Sequence, residues 1–288
     1  MTSRRETASI GPGPHRAKKQ FPRGPCRTGG RVANPYSRPP VYRHSVDRIA
    51  VAKGVEATRD FALLLRDERA LVISDLHLGF EGALAEQGVS IPRFQRRVVL
   101  ERLGKMLDRG KAEKVVIAGD FKHEFSKNLV DEWVEVKQVL RFLKDRVTPI
   151  LVRGNHDNYL ATILGDLNLT LHPRADLGGY TIVHGHEEVS TLHPIIMGHE
   201  HPAVKLKDEL GAVVSVPAFL ATDRIIVLPA FSPLALGVDV SSYPYLSPIL
   251  NRTPIDDARV IGVDEKEGLL DFGHVDGLKS MRAALLMK

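Results

Sequence analysis

The hydrophobic positions of the chain alternate between strand-like and helical patterns from about residue 70 to residue 152. Three short aliphatic runs, each ending in polar residues, predict strands at 70–74, 114–118 and 148–152. Between them, apolar residues recur at helical spacing, first after Pro92, which suits a first helical turn, and then from Leu129. The apolar positions are Phe94, Val98, Leu103, Met106 and Leu107 in the first helix, and Leu129, Trp133, Val136, Leu140 and Leu143 in the second. This alternation predicts parallel strands joined by helical crossovers.

The elements become shorter after Asn155. Aliphatic runs bounded by turn residues predict strands at 180–183, 194–197, 203–207, 212–216, 225–228 and 259–263. A strand-rich second half fits a second sheet packed on the first. We therefore expect one α/β domain with two sheets over residues 49–288. The helical stripe that holds Trp133 and Phe142 predicts core positions for both.

Composition separates residues 1–48 from the rest of the chain. This segment has eleven Lys and Arg residues, two acidic residues and seven prolines. Its charge of +9 exceeds the +5 of the whole chain, so the other 240 residues carry −4. With almost no aliphatic residues, it cannot bury enough apolar area to offset the entropy of ordering. We expect a disordered basic extension, either a solvated tail or the product of a start codon placed too far upstream, in preference to an arm that binds phosphate backbones.

The sequence predicts a cytoplasmic protein without membrane contact. Its single cysteine, Cys26, cannot form an internal disulfide, which favours a reducing compartment. The longest apolar stretch, 225–238, contains two prolines and is shorter than the roughly 20 apolar residues that span a bilayer. The first thirty residues lack the apolar run of a signal peptide.

Loops rich in Asp, Asn and His follow five of the predicted strands. In open α/β sheets, ligands bind outside the carboxyl ends of the strands, so we expect these loops to converge on one rim. They are Asp75-Leu76-His77, Gly119-Asp120-Phe121-Lys122-His123, Gly154-Asn155-His156-Asp157, His184-Gly185-His186 and Gly198-His199-Glu200-His201.

The residue types in these loops indicate metal binding. Carboxylate, amide and neutral imidazole groups together suit Mn²⁺, Fe²⁺ or Zn²⁺, whereas Ca²⁺ prefers oxygen ligands alone. One ion does not need so many ligands, but two ions about 3.5–4 Å apart would use them. Each motif alone has an ordinary explanation, since Gly-Asp is a common exit from a sheet and buried histidines are usually hydrogen-bonded. Five motifs in this order, each after a strand, make coincidence a poor explanation.

Taken together, the motifs resemble those of the calcineurin-like metallophosphoesterases. The motifs cover about residues 71–202, and we expect the resemblance to extend to 236. The chain is similar in particular to archaeal SbcD-related and bacterial DNA-ligase-associated phosphoesterases, in the segments 73–81, 119–125 and 228–234. The sequence departs from the common family pattern at His123, where an Asp is usual. The resemblance implies a four-layer αββα sandwich, in which two mixed sheets are flanked by helices.

The resemblance also implies a role for each motif residue. Asp75, His77 and His201 would hold one divalent cation, Asn155, His184 and His199 the second, and Asp120 would bridge both. We expect Mn²⁺, with Fe²⁺, Zn²⁺ or Ni²⁺ as alternatives. A hydroxide between the cations would attack phosphorus in line. His156 would stabilise the leaving or equatorial oxygens, and Asp157 would orient His156.

Four neighbouring residues are weaker candidates for substrate contact. His123 either supports Asp120, which is the favoured interpretation, or touches the substrate. Lys122 and Arg153 would contact a phosphate or lie as exposed charges at strand ends, and His186 is either a substrate contact or a turn residue. Phe80 and Phe231 could stack on a nucleobase, but core packing is the favoured interpretation for both.

The sequence therefore predicts a metal-dependent phosphoesterase. By resemblance, the favoured activity is that of a phosphodiesterase or nuclease that hydrolyses a nucleotide or nucleic-acid phosphodiester. A phosphomonoesterase acting on a small molecule or phosphoprotein is the first alternative, and a scaffold that has kept the fold without hydrolysis is the second. Because all seven candidate ligands and His156 are present, the scaffold is disfavoured. The sequence indicates no oligomeric state.

Overall fold

Two β-sheets pack face to face in the computed structural model, which describes residues 46–126, 129–207 and 212–286. The predicted disordered extension falls almost wholly on residues 1–45, which lie outside the described residues. The described chain begins at Val46, which bridges to Gly268, and the first strand begins at Arg48.

The first sheet follows chain order, with an antiparallel half and a parallel half. Within the described ranges, its strands are β1 (Arg48–Ala52), β2 (Val55–Thr58), β3 (Leu63–Leu65), β4 (Ala70–Ile73), β5 (Lys114–Ala118), β6 (Thr148–Val152) and β7 (Leu171–His172). Strands β1 to β4 are antiparallel to their neighbours, and β4 to β7 are parallel. Residues of β4 and β5 are almost all buried, as expected of parallel strands covered on both faces.

Helices cover the outer face of this sheet. They are α1 (Phe80–Glu86), α2 (Gln95–Gly110), α3 (Val130–Lys144) and α4 (Leu160–Gly165). The predicted crossovers are confirmed, since α2 joins β4 to β5 and α3 joins β5 to β6. Their apolar stripes enter the core through Val99, Leu103, Met106, Val136, Val139, Leu140 and Leu143. Trp133 and Phe142 pack against this core while partly exposed.

The predicted start of α2 is wrong by three residues. Pro92 precedes the helix, which begins at Gln95 because Oε1 of Glu81 accepts hydrogen bonds from the backbone N–H groups of Phe94 and Gln95, at 2.7 and 2.8 Å. A carboxylate from α1 thus caps α2, a contact that apolar spacing does not reveal.

The second sheet is mixed, and its central strands are parallel. Among the described residues, its strands are β8 (Ala175–Leu177), β9 (Tyr180–Val183), β10 (Ile195–Met197), β11 (Pro202–Lys207), β12 (Val213–Ala221), β13 (Ile225–Val227), β14 (Val238–Asp239), β15 (Arg259–Asp264) and β16 (Gly268–His274). The spatial order is β14-β11-β12-β13-β10-β9-β8, with β15 between β12 and β16. Strand β12 runs five residues beyond its predicted end because its second half pairs with β15.

Alternation along the second sheet separates two cores. Ile182, Ile196 and Ile226 face the first sheet, whereas Val183, Met197 and Val227 belong to a second cluster. That cluster is covered by α5 (Pro248–Arg252) and α6 (Val275–Leu286), through Ile249, Leu250, Val275 and Leu278. The order helix, sheet, sheet, helix confirms the predicted four-layer αββα sandwich. Within the described part of the chain, every helix is too short or too polar to traverse a lipid bilayer.

Candidate metal centre

Backbone hydrogen bonds hold the loops after β4 and β5 side by side. The N–H groups of Asp75 and His77 donate to the carbonyl oxygens of Gly119 and Asp120, at 3.1 and 3.0 Å. The second sheet joins the same rim, because the N–H of Phe231 donates to the carbonyl of Ser74 at 2.9 Å. The carboxyl ends of strands from both sheets therefore meet at one place, as the sequence predicts.

Five of the seven candidate ligands have left-handed backbone conformations. The φ angles are 58° at Asp75, 46° at His77, 50° at Asp120, 67° at His199 and 46° at His201. Such angles are uncommon outside glycine and cost free energy that the surrounding structure must supply. Here they turn each chain sharply at its strand end, so that the side chains point back toward one another.

Two glycines allow the loops to approach closely. A Cβ on Gly154 would lie 2.1 Å from Oδ1 of Asp120, and a Cβ on Gly198 would lie 1.8 Å from Oγ of Ser74 and 2.5 Å from Oδ2 of Asp75. Any larger residue at either position would displace a candidate ligand.

One cluster of ligands contains Asp75, His77 and His201. Nε2 of His77 lies 3.2 Å from Nε2 of His201, which in turn lies 3.1 Å from Oδ1 of Asp75. Oδ2 of Asp120 lies 3.8 Å from Nε2 of His77. These are the residues that the resemblance assigns to the first cation.

A second cluster surrounds His184. Its Nε2 lies 3.2 Å from Oδ2 of Asp120, 3.0 Å from Oδ1 of Asn155 and 3.2 Å from Nδ1 of His199. Oδ2 of Asp120 thus approaches both clusters, which is the position that a bridging ligand requires. The structure brings all seven predicted ligands together.

One ring proton of His184 lies on the nitrogen that faces away from the other candidate ligands. Nδ1 of His184 lies 3.0 Å from the carbonyl oxygen of Ala118, which can only accept, so this nitrogen carries the proton. When Nε2 carries no proton, it offers a lone pair toward Asp120 and Asn155, whose oxygens offer lone pairs as well. Lone pairs that converge in a buried site repel one another unless a cation lies among them.

The protonation of the histidines fits this interpretation. Burial lowers the pKa of His77 to about 3 and is also the main reason that the pKa of His199 falls to about 4, so both rings are neutral near pH 7. Burial opposes charge on His184 as well, but the hydrogen bond with Asp120 and the nearby carboxylates raise its pKa to about 9. The surroundings of His184 therefore favour a positive charge.

His156 is held beside the two clusters by its backbone and its ring. Its N–H donates to Oδ1 of Asp120 at 2.9 Å, and Nδ1 of the ring contacts the carbonyl oxygen of His123. Nε2 of His156 therefore faces Oδ2 of Asp120, 3.9 Å away, from a side chain that is 24% exposed. His123 stacks on this ring with centroids 5.6 Å apart, so its ring contacts His156, whereas its predicted support of Asp120 stays a prediction.

The predicted role of Asp157 is corrected by its hydrogen bonds. Its buried carboxylate accepts from the backbone N–H groups of Phe121, Lys122 and Gly154, at 2.9, 3.3 and 2.8 Å, and the His123 carbonyl orients His156 instead. Asp157 therefore fastens the loop after β6 to the loop after β5. Burial and the nearby Asp120 raise its pKa to about 6.

Both predicted positions of Lys122, a phosphate contact and an exposed charge at a strand end, are wrong. Its side chain is fully buried, and Nζ lies 3.4 Å from Oε2 of Glu132 in α3. Oε1 of Glu132 accepts hydrogen bonds from the N–H groups of His123 and Glu124, at 3.0 and 2.8 Å. Lys122 and Glu132 therefore form a buried ion pair that holds the His123 loop.

Arg153 and His186 lie near the second cluster. Both line a cavity of about 170 Å³ that His184 also lines. Arg153 is exposed, and its Nη2 donates to Oδ1 of Asn158 at 3.1 Å. The ring of His186 lies 5.3 Å from that of His184.

Phe231 is fully buried, which confirms core packing, whereas Phe80 is only partly buried and lines a cavity beside His123.

Three residues without a role in the sequence analysis hold the ligand loops. Nε2 of buried Gln95 donates to the carbonyl of His77 and to Oγ of Ser232, at 2.8 and 3.0 Å. Buried Glu200 accepts from the N–H of Ser247 at 3.0 Å, and Oγ of Ser247 donates to the carbonyl of Gly185 at 2.7 Å. Glu200 could have been found from the sequence because it lies between two candidate ligands, His199 and His201. Gln95, the first residue of α2, belongs to no motif and could not.

Comparisons with known proteins identify a family and a similar fold. A family model described as calcineurin-like phosphoesterase matches residues 68–234. The fold is similar to that of nuclease MPE from Pseudomonas putida, with 21% identity and a TM-score of 0.59 over 78% of this chain and 98% of the nuclease. Yfce, a phosphoesterase from E. coli, matches with 18% identity and a TM-score of 0.33 over 68% and 87% of the two chains. No curated protein matches the sequence.

Proposed function

The chain belongs to the calcineurin-like phosphoesterase family and is a hydrolase of ester bonds, and on that premise we propose that it hydrolyses phosphodiesters in a nucleotide or nucleic acid with two divalent cations. Mn²⁺ is the proposed metal. The similarity of its fold to a nuclease supports this substrate class.

The observation that carries the proposal is the convergence of six oxygen and nitrogen donors near Oδ2 of Asp120, which is the seventh. Asp75, His77 and His201 would hold one cation and Asn155, His184 and His199 the other, with Asp120 shared. Such a pair of cations, when bound, activates water at neutral pH and neutralises charge on a phosphoryl group. Asp75, His77, Asp120 and His184 are buried, and the other three ligands are partly buried.

His156 would act on the substrate as a proton donor. Because Nδ1 contacts the His123 carbonyl, the proton on that nitrogen is committed, and only a proton on Nε2 can reach the substrate. His156 would therefore donate from its doubly protonated form, to the leaving oxygen or to an equatorial oxygen of the transition state. His123, the positioning residue, keeps Nε2 directed at the centre.

Arg153 and His186 would bind phosphate oxygens on the other side of the centre. Both lie near His184, and the exposed guanidinium of Arg153 can reach solvent-borne phosphate. A phosphodiester extends on both sides of the attacked phosphorus, so contacts on this side would bind the part of the substrate away from His156.

Two chromogenic esters with the same leaving group test the proposal. We expect the Mn²⁺-loaded protein to cleave bis-p-nitrophenyl phosphate with a higher kcat/KM than p-nitrophenyl phosphate. The Asp120→Asn variant, prepared in the same way, controls for contaminating phosphatases. A preference for the monoester would reject the phosphodiesterase proposal in favour of a phosphomonoesterase.

A further inference from the structure

An apolar cavity of about 280 Å³ opens beside the metal centre. Part of its lining consists of imidazoles that also belong to the centre or support it, namely His77, His123, His156 and His201. The rest of the lining, here called the apolar wall, consists of Phe80, Ser232, Leu234, Ala235 and Leu236. The cavity is thus continuous with the place where the phosphate would bind, and carboxylates are absent from its lining within the described residues.

The apolar wall of this cavity is fixed by hydrogen bonds. Oγ of Ser232 accepts from Gln95 and from the N–H of Leu234, at 3.0 and 3.3 Å. The carbonyl of Leu236 accepts from Oγ of Ser215 at 2.8 Å. Leu236 is nevertheless 83% exposed. The side chain of Leu236 therefore exposes apolar surface to water, and a ligand in the cavity could cover that surface.

Aromatic rings form part of the cavity lining. Phe80 and His123 meet edge to face with centroids 4.2 Å apart, and His77 lies edge to face with His123 at 5.5 Å. Phe125, which is 56% exposed and outside the cavity lining, packs edge to face with His156 at 5.8 Å between centroids. Flat aromatic surfaces of this kind favour a planar ring over an aliphatic chain.

We propose that this cavity binds the nucleobase of the substrate, beside the phosphate that the metal centre attacks. This inference rests on the proposed function and adds the substrate group that the site recognises. The cavity is slightly smaller than typical pockets for drug-sized ligands, so it holds about one nucleoside and no duplex. Stacking on aromatic and apolar side chains reads no base edge, so all four bases are accepted.

The test compares two ligands that differ only in the base. The affinities of Mn²⁺-loaded protein for thymidine 5′-monophosphate and for 2-deoxyribose 5-phosphate are measured by titration calorimetry. Stacking of one base predicts that the nucleotide binds about 5- to 150-fold more tightly. Leu236→Ser should reduce this ratio about fivefold, whereas Leu236→Met should preserve it. Leu192→Ser, at a leucine that is 95% exposed and lines a different cavity, controls for the loss of a surface leucine.

Equal affinities for the two ligands, or a ratio that survives Leu236→Ser, would overturn the base subsite. Failure of the proposed function gives a different result. A phosphomonoesterase would release inorganic phosphate from both ligands, and the ratio of their KM values would then test the subsite in place of the affinities. The two proposals can thus succeed or fail separately.

Discussion

Replacing Lys122 with methionine tests whether this lysine stabilises the fold or binds phosphate. The Lys122 and Glu132 side chains are 0 and 1% exposed, and their charged atoms lie 3.4 Å apart. Two unit charges at that distance attract by about 5 kcal/mol at an effective dielectric constant of about 20. Removing one partner of a buried pair typically costs about 3–5 kcal/mol. We expect Lys122→Met to lower the free energy of unfolding by about that amount.

The loss of stability should depend on pH. Burial raises the pKa of Glu132, and removal of Lys122 raises it further because a neighbouring cation favours the ionised carboxyl. Above the pKa of an unfolded glutamate, about 4.3, the unfolded chain releases a proton that folded Glu132 retains. Folding then becomes progressively less favourable as the pH rises. The deficit of Lys122→Met should therefore be larger at pH 8 than at pH 5.

Urea denaturation followed by circular dichroism measures these effects. Lys266→Met, at an exposed lysine, is the matched control and should change stability by less than about 0.5 kcal/mol. The double variant Lys122→Met/Glu132→Gln should recover part of the loss, since the amide can still accept from His123 and Glu124. Activity per folded molecule should stay within about twofold. Unchanged stability together with a KM raised about tenfold or more would refute the ion-pair interpretation and restore a phosphate contact.

The other predictions concern the centre itself. Asp120→Asn should abolish hydrolysis and weaken both metal sites, because the bridge is shared; two ions bound with unchanged affinity, measured by calorimetry, would contradict this. His156→Ala should keep both ions and lower kcat about 10²–10⁴-fold, and wild-type kinetics would exclude His156 as a proton donor. Glu200→Leu should weaken Mn²⁺ binding about 10–100-fold because the loops after β9 and β10 lose a common anchor, whereas Glu200→Gln should rescue it; equal losses in both would deny an anchoring role.

The strands and ligands of this site can be predicted because a short aliphatic run followed by polar residues is recognisable from neighbouring residues alone. Strand β4 and Asp75-Leu76-His77 are an example, since a buried parallel strand leaves little choice of conformation before the loop. The crossovers through α2 and α3 follow from helical spacing alone. The strands β1 to β3 were not predicted. Strand β3 has only three residues, and β2 contains Glu56 and Thr58 at buried positions, so β2 does not form an aliphatic run.

Side-chain direction beyond a strand end is not local, which explains the errors at Lys122 and Asp157. Lys122 bridges to Leu78 and so extends the ladder of β4 and β5, which directs its side chain into the layer occupied by α3. Glu132 meets it there from ten residues away. The carboxylate of Asp157 accepts from three backbone N–H groups in two loops, and it makes no hydrogen bond with the neighbouring imidazole. Both outcomes depend on how separate elements pack, and sequence spacing does not encode that.

The location of bound metal tests the central claim most directly. In a crystal soaked in Mn²⁺, anomalous diffraction should show two peaks about 3.5–4 Å apart. One should be surrounded by Asp75, His77 and His201 and the other by Asn155, His184 and His199, with Asp120 between them. A single peak, or peaks away from Asp120, would contradict a shared two-metal centre.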